Sequence, residues 1–110
     1  MISEPTARSR SIRETILRIL ANAYGANPTV CILADHLYRG FSASVLQFGR
    51  AEIDCELVDL IEDGLIAGQD APGGVGPVAA KCYKTTSRGR DFFRAGCPWD
   101  KIDEFTGGQR

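Results

Sequence analysis

The sequence lacks long hydrophobic segments. No run of eighteen apolar residues occurs, and the first ten residues, MISEPTARSR, do not contain the apolar centre of a signal peptide. A bilayer span needs about 20 mostly apolar residues, and a secretory signal needs an apolar core of about 7–15 residues. Neither a membrane span nor export is therefore indicated, and we expect a cytoplasmic protein with no membrane partner.

The sequence also lacks metal-binding and disulfide motifs. Cys31, Cys55, Cys82 and Cys97 are scattered without a CxxC pair, and His36 is the single histidine. Zinc sites need closely spaced Cys and His ligands, and a chain without export signals is expected to keep its thiols reduced. We therefore predict no metal, no cofactor and no disulfide.

No pattern of residues typical of an enzyme is found either. Gly73, Gly74 and Gly76 form a glycine-rich segment, but no GK[ST] follows it and no helix begins there, as a phosphate-binding loop would require. No pairing of a nucleophile with a base is recognisable. We expect the protein not to be an enzyme.

Charge is present in both signs but is unevenly distributed. The formal net charge is −1, which gives no overall attraction to nucleic acid. Residues 1–18 contain four Arg and two Glu, residues 35–70 contain eight acids and two Arg, and residues 81–94 contain five bases and one Asp. The middle of the chain is acidic and its flanks are basic.

The composition, 44% hydrophobic and 25% charged residues in 110, is that of one globular domain with an ordinary core. Residues 1–10 have no apolar periodicity and are predicted to be a mobile arm. The domain itself is expected over residues 11–96, followed by a C-terminal tail over 97–110.

Two helices are predicted in the first part of the domain. Ser11 begins an S-x-x-E capping box, and apolar residues then recur at helical spacing until Gly25. Asn27 and Pro28 are suited to the first turn of a second helix, whose apolar face would include Ile32, Leu33 and Leu37 and which Gly40 would end.

A third helix is predicted to begin at the capping box of Ser44, with Gly49 as the alternative start. Its apolar stripe centres on Leu57 and includes Leu46, Ile53, Leu60 and Ile61. Gly64 is expected to follow the helix as its left-handed C′ residue.

The remaining segments predict a hairpin and a short helix. Residues 65–70 and 78–85 are expected to pair as antiparallel strands around the glycine-rich segment. Ser87 would then cap a short helix that carries Phe92 and Phe93 and ends at Gly96.

Three quoted segments resemble a known family of folds: IRETILRIL from Ile12, ELVDLIEDGLI from Glu56, and YKTTSRGRDFF from Tyr83. Together with the order of elements, they resemble the winged helix-turn-helix domains of MarR-like and PadR-like regulators. The resemblance implies an α+β fold: a three-helix core, a two-stranded antiparallel wing and a short C-terminal helix.

A narrower resemblance is to a family of small proteins of Mu-like prophages. It is carried by IRETIL, by Gly40-Phe41, by ELVDLIEDGLI and by TTSRGRDFFRAG from Thr85. That family has no established activity. The chain departs from its pattern in a longer segment before the third helix and in the CPWDKIDEF tail.

The first functional hypothesis is a small DNA-binding or regulatory protein, for which the narrower resemblance implies a phage or prophage origin. The resemblance implies that the third helix enters the major groove of double-stranded DNA while the wing and helix ends contact phosphates. The candidate residues are Ser44, Gln47 and Arg50 near the bases and Lys81, Lys84, Arg88 and Arg90 near the backbone. Because Glu52, Glu56 and Asp59 would repel phosphates, any such binding is expected to be weak and backbone-dominated.

The alternative hypothesis is a protein-interaction module or homodimer that uses the same fold without reading DNA. Phe48 and Cys55 lie on the outward side of the predicted third helix and are the candidate contact residues. An acidic helix face that only keeps the protein in solution is the simpler interpretation of the carboxylates.

Overall fold

The computed structural model describes residues 6–42, 49–70 and 81–106. Along the chain lie α1 (Ala7–Ala26), β1 (Ile32–Leu33), α2 (Ala34–Ser42), α3 (Arg50–Glu62), β2 (Ile66–Asp70), β3 (Lys81–Thr85), α4 (Ser87–Arg94), a 3₁₀ turn (Trp99–Lys101) and α5 (Ile102–Thr106). The strands form an antiparallel sheet in the order β1-β3-β2. The fold is therefore α+β, with helices packed around a small sheet.

Helix α1 begins earlier than the sequence predicts. Its N-cap is Thr6, whose hydroxyl accepts the backbone N–H of Ser9 at 3.1 Å. The predicted N-cap at Ser11 lies five residues after the observed one, because the upstream Thr6 already satisfies an orphan donor of the first turn. Residues 7–10 of the predicted arm thus belong to the helix, and residues 1–5 lie outside the described part.

The segment after α1 differs most from the prediction. Asn27 does not open a second helix: it ends α1, and its side-chain oxygen accepts the N–H of Thr29 at 3.1 Å. Ile32 and Leu33, predicted to be helical, form β1 and pair with Tyr83 and Cys82 of β3. Pairing with β3 outweighs the helical spacing of these apolar residues, so the sheet has three strands instead of the predicted two.

Helix α2 is correspondingly shifted along the chain. It starts at Ala34 and continues past Gly40, the predicted end, to Ser42. Leu37 and Phe41 lie on its buried side and join the core. The two positions are one helical turn apart, which explains why the helix extends beyond the glycine.

Helix α3 begins at Arg50 with Gly49 as its extended N-cap residue. The favoured start at Ser44 is therefore wrong and the alternative start at Gly49 is correct. The candidate residues Ser44, Gln47 and Phe48 lie outside the described residues, as does Leu46. The expectation that Leu57 is buried is confirmed.

Gly64 ends α3 as predicted, with a positive φ of 77°. The N–H of Leu65 donates to the carbonyl of Leu60, and the N–H of Gly64 donates to that of Ile61, each at 3.0 Å. This pair of bonds is a Schellman motif, in which a left-handed C′ residue satisfies the last helical carbonyls. The turn directs Leu65 into the core and aligns β2 for the hairpin.

The hairpin pairing is confirmed for β2 and β3. Ile66 lies opposite Thr85, Gly68 opposite Tyr83, and Asp70 opposite Lys81. The predicted glycine-rich connection over residues 71–80 lies outside the described part of the chain.

Helix α4 is capped by Thr86, one residue before the predicted Ser87, through a 3.0 Å bond from the N–H of Gly89 to the threonine hydroxyl. Beyond it, the residues assigned to the tail pack onto the core. The Phe92 ring makes edge contacts with the rings of Trp99 and Phe105, with centroids 4.8 Å and 5.2 Å apart. Such pairs stabilise beyond simple burial, so this segment completes the core.

Gly89 lies where α4 closely approaches the Leu65 backbone and the Thr85 side chain. A Cβ atom at this position would come within 1.9 Å of the Leu65 carbonyl oxygen and 2.7 Å of the Thr85 hydroxyl. The first of these neighbours is backbone and cannot move aside. Only glycine permits this approach.

We expect Gly89→Ala to lower the free energy of unfolding by about 3 kcal/mol or more, since α4 must shift away from its partners. Gly25→Ala is the matched control: it is also a helical glycine, and a Cβ there meets nothing within 4 Å. That substitution should leave stability unchanged or raise it by up to about 1 kcal/mol. Urea unfolding of both variants measures the difference, and equal midpoints would contradict the close approach.

Candidate functional site

Helix α3 presents three different faces around its circumference. Ile53, Leu57 and Leu60 face the core. A second face carries Glu52, Glu56 and Asp59, and the rest of the helix is exposed to solvent. These three faces have different surroundings: the core, α1 and solvent.

The carboxylates of the second face contact α1. Glu56 accepts hydrogen bonds from the Ser9 hydroxyl and from Arg13 Nε, both at 2.7 Å. Arg13 Nη2 also donates to Asp59 Oδ2 at 3.0 Å. The side chains of Arg13 and Glu56 are only 13% and 12% exposed, so this ion pair is part of the packed interface between the helices.

Arg13 is fixed from a second side by the C-terminal segment. Its guanidinium carbon lies 5.6 Å from the centre of the Trp99 ring, within range of a cation–π contact. Trp99 Nε1 in turn donates to Glu14 Oε1 at 3.4 Å. One arginine therefore joins α1, α3 and the residues after α4.

Glu52 is paired nearer the surface. Arg8 donates two hydrogen bonds to the Glu52 carboxylate, one from Nε and one from Nη2. The bond from Nη2 is 2.8 Å long. These hydrogen bonds, followed by the positive charge of Arg8, lower the pKa of Glu52. The pairing is bidentate, the geometry that suits a guanidinium and a carboxylate best.

These contacts account for the uneven charge of the sequence. The basic N-terminal segment and the acidic middle segment are the two sides of one interface, since Arg8 pairs with Glu52 and Arg13 pairs with both Glu56 and Asp59. The structure corrects the placement of Glu52, Glu56 and Asp59 on an outward acidic face of the helix, because all three pair with α1. Their positions on the helical wheel place them toward α1 instead of toward a partner.

The third face of α3 points to solvent and is partly apolar. Its exposed residues cover an arc of roughly 140° at 100° per residue: Arg50, Ala51, Asp54, Cys55, Val58, Ile61 and Glu62. Val58 is 53% exposed and Ile61 is 40% exposed, and among the described residues these are the exposed large hydrophobic side chains. Ile61 was predicted to join the core stripe, and its exposure corrects that prediction. We name these seven residues the outward face.

Two tyrosines border the outward face. The Tyr38 hydroxyl donates to Asp54 Oδ1, and burial followed by this hydrogen bond raises the pKa of Tyr38 to about 12. A Cβ on Gly68 would lie 3.1 Å from Tyr83 Cε1 and 3.2 Å from Ile61 Cδ1. Tyr83 and Ile61 therefore meet above the glycine, and the apolar surface continues from α3 onto the sheet.

The basic candidates are dispersed. Arg50 stacks over Tyr38, with its guanidinium carbon 4.9 Å from the ring centre. Lys81 is exposed and Lys84 is half-buried, and their odd spacing on β3 places them on opposite sides of the sheet. Arg88 is exposed on the first turn of α4.

Arg90 has a structural role that the sequence did not indicate. Its Nη1 donates to the Thr85 carbonyl at 3.2 Å, and its guanidinium carbon lies 3.7 Å from the centre of the Tyr24 ring. These contacts tie α4 to β3 and α1. The role of Arg90 in a phosphate contact stays a prediction, and its Nη1 is engaged by the Thr85 carbonyl.

All four cysteines are free thiols. Burial, followed by the neighbouring Cys82 thiol, raises the pKa of Cys31 to about 11, and burial raises that of Cys97 to about 11. Cys55 is exposed on the outward face, as predicted for an interaction candidate. In the described ranges, His, Cys, Asp and Glu side chains form no group of three or more suited to holding a metal ion.

No described helix combines the length and apolar character needed to cross a membrane. The chain matches no model of a known protein family, and comparisons with curated proteins and with solved structures gave no significant match. The geometry of α3 and its neighbours is therefore the evidence from which a function can be inferred.

We expect Glu56→Gln to lower the free energy of unfolding by about 1–3 kcal/mol, because it removes the more buried of the two carboxylate charges that Arg13 faces. The control is Asp35→Asn, which removes a carboxylate that pairs with Arg39 and Arg50 through mostly exposed side chains. That change should stay within about 0.5 kcal/mol. Chemical unfolding at neutral pH measures both, and a Glu56→Gln protein as stable as the control would show that the interface charge is dispensable.

Proposed function

We propose that this protein is a winged-helix domain that acts by binding another protein and not by catalysis. The winged-helix assignment is supported by the order of the elements: α2 and α3 correspond to the helix-turn-helix pair, and β2 and β3 correspond to the wing. In this assignment β1 is the third strand, beside β3.

The observation that carries the functional proposal is the exposure of Val58 and Ile61 on the same face of α3. Ile53, Leu57 and Leu60 already pack this helix against the core. The exposed Val58 and Ile61 are therefore not needed for that packing. Apolar side chains grouped on one surface, with aromatic residues beside them, are typical of a protein contact.

The same face is poorly suited to the major groove. Its cation is Arg50 at the first turn, whereas Asp54 and Glu62 are acids. A helix in the groove approaches phosphates on both sides, and each carboxylate there weakens binding to every sequence. We therefore assign the outward face to a protein partner.

A photo-crosslinking residue at Val58, introduced into the full chain in its native cells, tests this proposal. We expect covalent protein adducts from position 58 and none from the control position Asn22, which is exposed on α1. Thermal unfolding of both purified variants verifies that the fold is intact. The same adducts from both positions, or none from either, would contradict a contact surface on α3.

A second candidate function is weak binding to the DNA backbone, favoured by the location of Lys81, Lys84 and Arg88 on β3 and the first turn of α4. In a winged helix these elements adjoin the wing, where phosphate contacts are expected. Because Lys81 and Lys84 lie on opposite sides of the sheet, the three bases do not form a single surface, and the test uses Lys84 and Arg88.

The DNA candidate predicts an affinity that falls steeply with salt, with a log–log slope of about −0.9 per phosphate contact. Lys84→Ala and Arg88→Ala should each reduce that slope by about one contact. Arg18→Ala, at an exposed position on α1, should leave it unchanged. Fluorescence anisotropy with duplex DNA from about 50 to 200 mM salt measures the slope, and absence of binding at about 50 mM would eliminate this function.

A further inference from the structure

The outward face has opposite charges at its two ends. Arg50 stands at the first turn of α3 and its side chain is 73% exposed. Glu62 is the last residue of the helix and is also exposed. Between them lie the exposed Val58 and Ile61, together with Asp54, whose Oδ1 accepts a hydrogen bond from the Tyr38 hydroxyl. The face is thus a short apolar surface with a cation at one end and an anion at the other.

We propose that the partner of this face is a second copy of the same chain, with the two α3 helices packed antiparallel about a twofold axis. This inference rests on the proposed function, since it names the protein that the outward face binds. The axis passes at the level of Glu56, midway between Arg50 and Glu62.

Charge complementarity selects the antiparallel arrangement. Arg50 and Glu62 are about 18 Å apart along the helix at about 1.5 Å per residue. An antiparallel pair brings the cationic end of each helix level with the anionic end of the other, at both ends of the interface. A parallel pair would place like charges together. The helix dipoles also oppose one another favourably in the antiparallel pair.

Side-chain size agrees with the same axis. With Glu56 at the centre, Ile61 of one copy is level with Ala51 of the other, so a large side chain faces a small one. Val58 lies less than one turn from the axis and is covered by the partner helix. Both exposed hydrophobic side chains of the described chain are thereby removed from water.

The interface formed in this way is small, because it consists mainly of one helical face from each copy. Interfaces at the low end of the size range associate weakly and reversibly. The dimer is therefore expected to be in equilibrium with the monomer and to depend on protein concentration.

Sedimentation equilibrium of the full chain from about 10 µM to 1 mM, the range of weak association, tests the dimer. We expect the average mass of the native chain to rise toward two copies. Val58→Asp should remain monomeric throughout, while Asn22→Asp, the same charge change on exposed α1, should behave as the native chain. A native chain that stays monomeric, or a dimer that Val58→Asp does not weaken, would overturn the proposal.

A charge exchange tests the antiparallel geometry. Arg50→Glu and Glu62→Lys should each weaken dimerisation by about tenfold, since each places like charges together at both ends of the interface. The double variant should recover most of the native affinity, because the charges are then exchanged but still complementary. Lack of recovery, in double-variant protein whose thermal unfolding is native-like, would overturn the antiparallel pairing.

The crosslinking experiment distinguishes failure of the proposed dimer from failure of the proposed contact surface on α3. If position 58 gives adducts with another protein while the native chain sediments as a monomer, self-association fails and the contact surface stands. If position 58 gives no adduct and the chain is monomeric, both fail. Adducts of twice the chain mass, together with concentration-dependent sedimentation, support both.

Discussion

The ion pair between Arg13 and Glu56 is the contact on which the arrangement of the helices depends. It lies between α1 and α3 with both side chains largely removed from solvent, and Asp59, Ser9 and Trp99 complete the surroundings of the two charges. Because a buried charge without its partner is costly, α1 and α3 cannot slide or rotate relative to each other without breaking several polar contacts. The apolar core supplies the stabilising area, and the charges determine which faces of the two helices meet.

This pairing also determines what α3 offers to solvent. Three of its acids are turned toward α1, and its largest apolar side chains are divided between the core and the outward face. The surface that remains is therefore less acidic and more apolar than the sequence of the helix suggests. This surface is therefore better suited to hydrophobic contact than to binding through charge.

Much of the fold could be predicted from local signals. The apolar stripe around Leu57 and the left-handed Gly64 identified α3 and its end, and alternating turn and strand residues identified the hairpin. The sequence-based predictions were wrong or incomplete where contacts between distant parts of the chain determine the local structure. Ile32 and Leu33 have helical spacing but pair with β3, and Arg90 looks like an exposed cation but stacks on Tyr24, 66 positions earlier in the chain. The pairing of Arg8 and Arg13 with α3 is equally non-local, although the opposite charges of the two segments were a visible signal.

The contacts of Trp99 and Phe105 with Phe92 have a consequence for folding during synthesis. Helix α1 leaves the ribosome early, but the aromatic side chains that cover Phe92 and the ring beside Arg13 are made much later. Until Trp99 and Phe105 are synthesised, the core between α1 and α3 is incomplete on one side. The nascent chain then exposes apolar surface of the kind that chaperones bind. We therefore expect the core to be completed only after this segment has been synthesised.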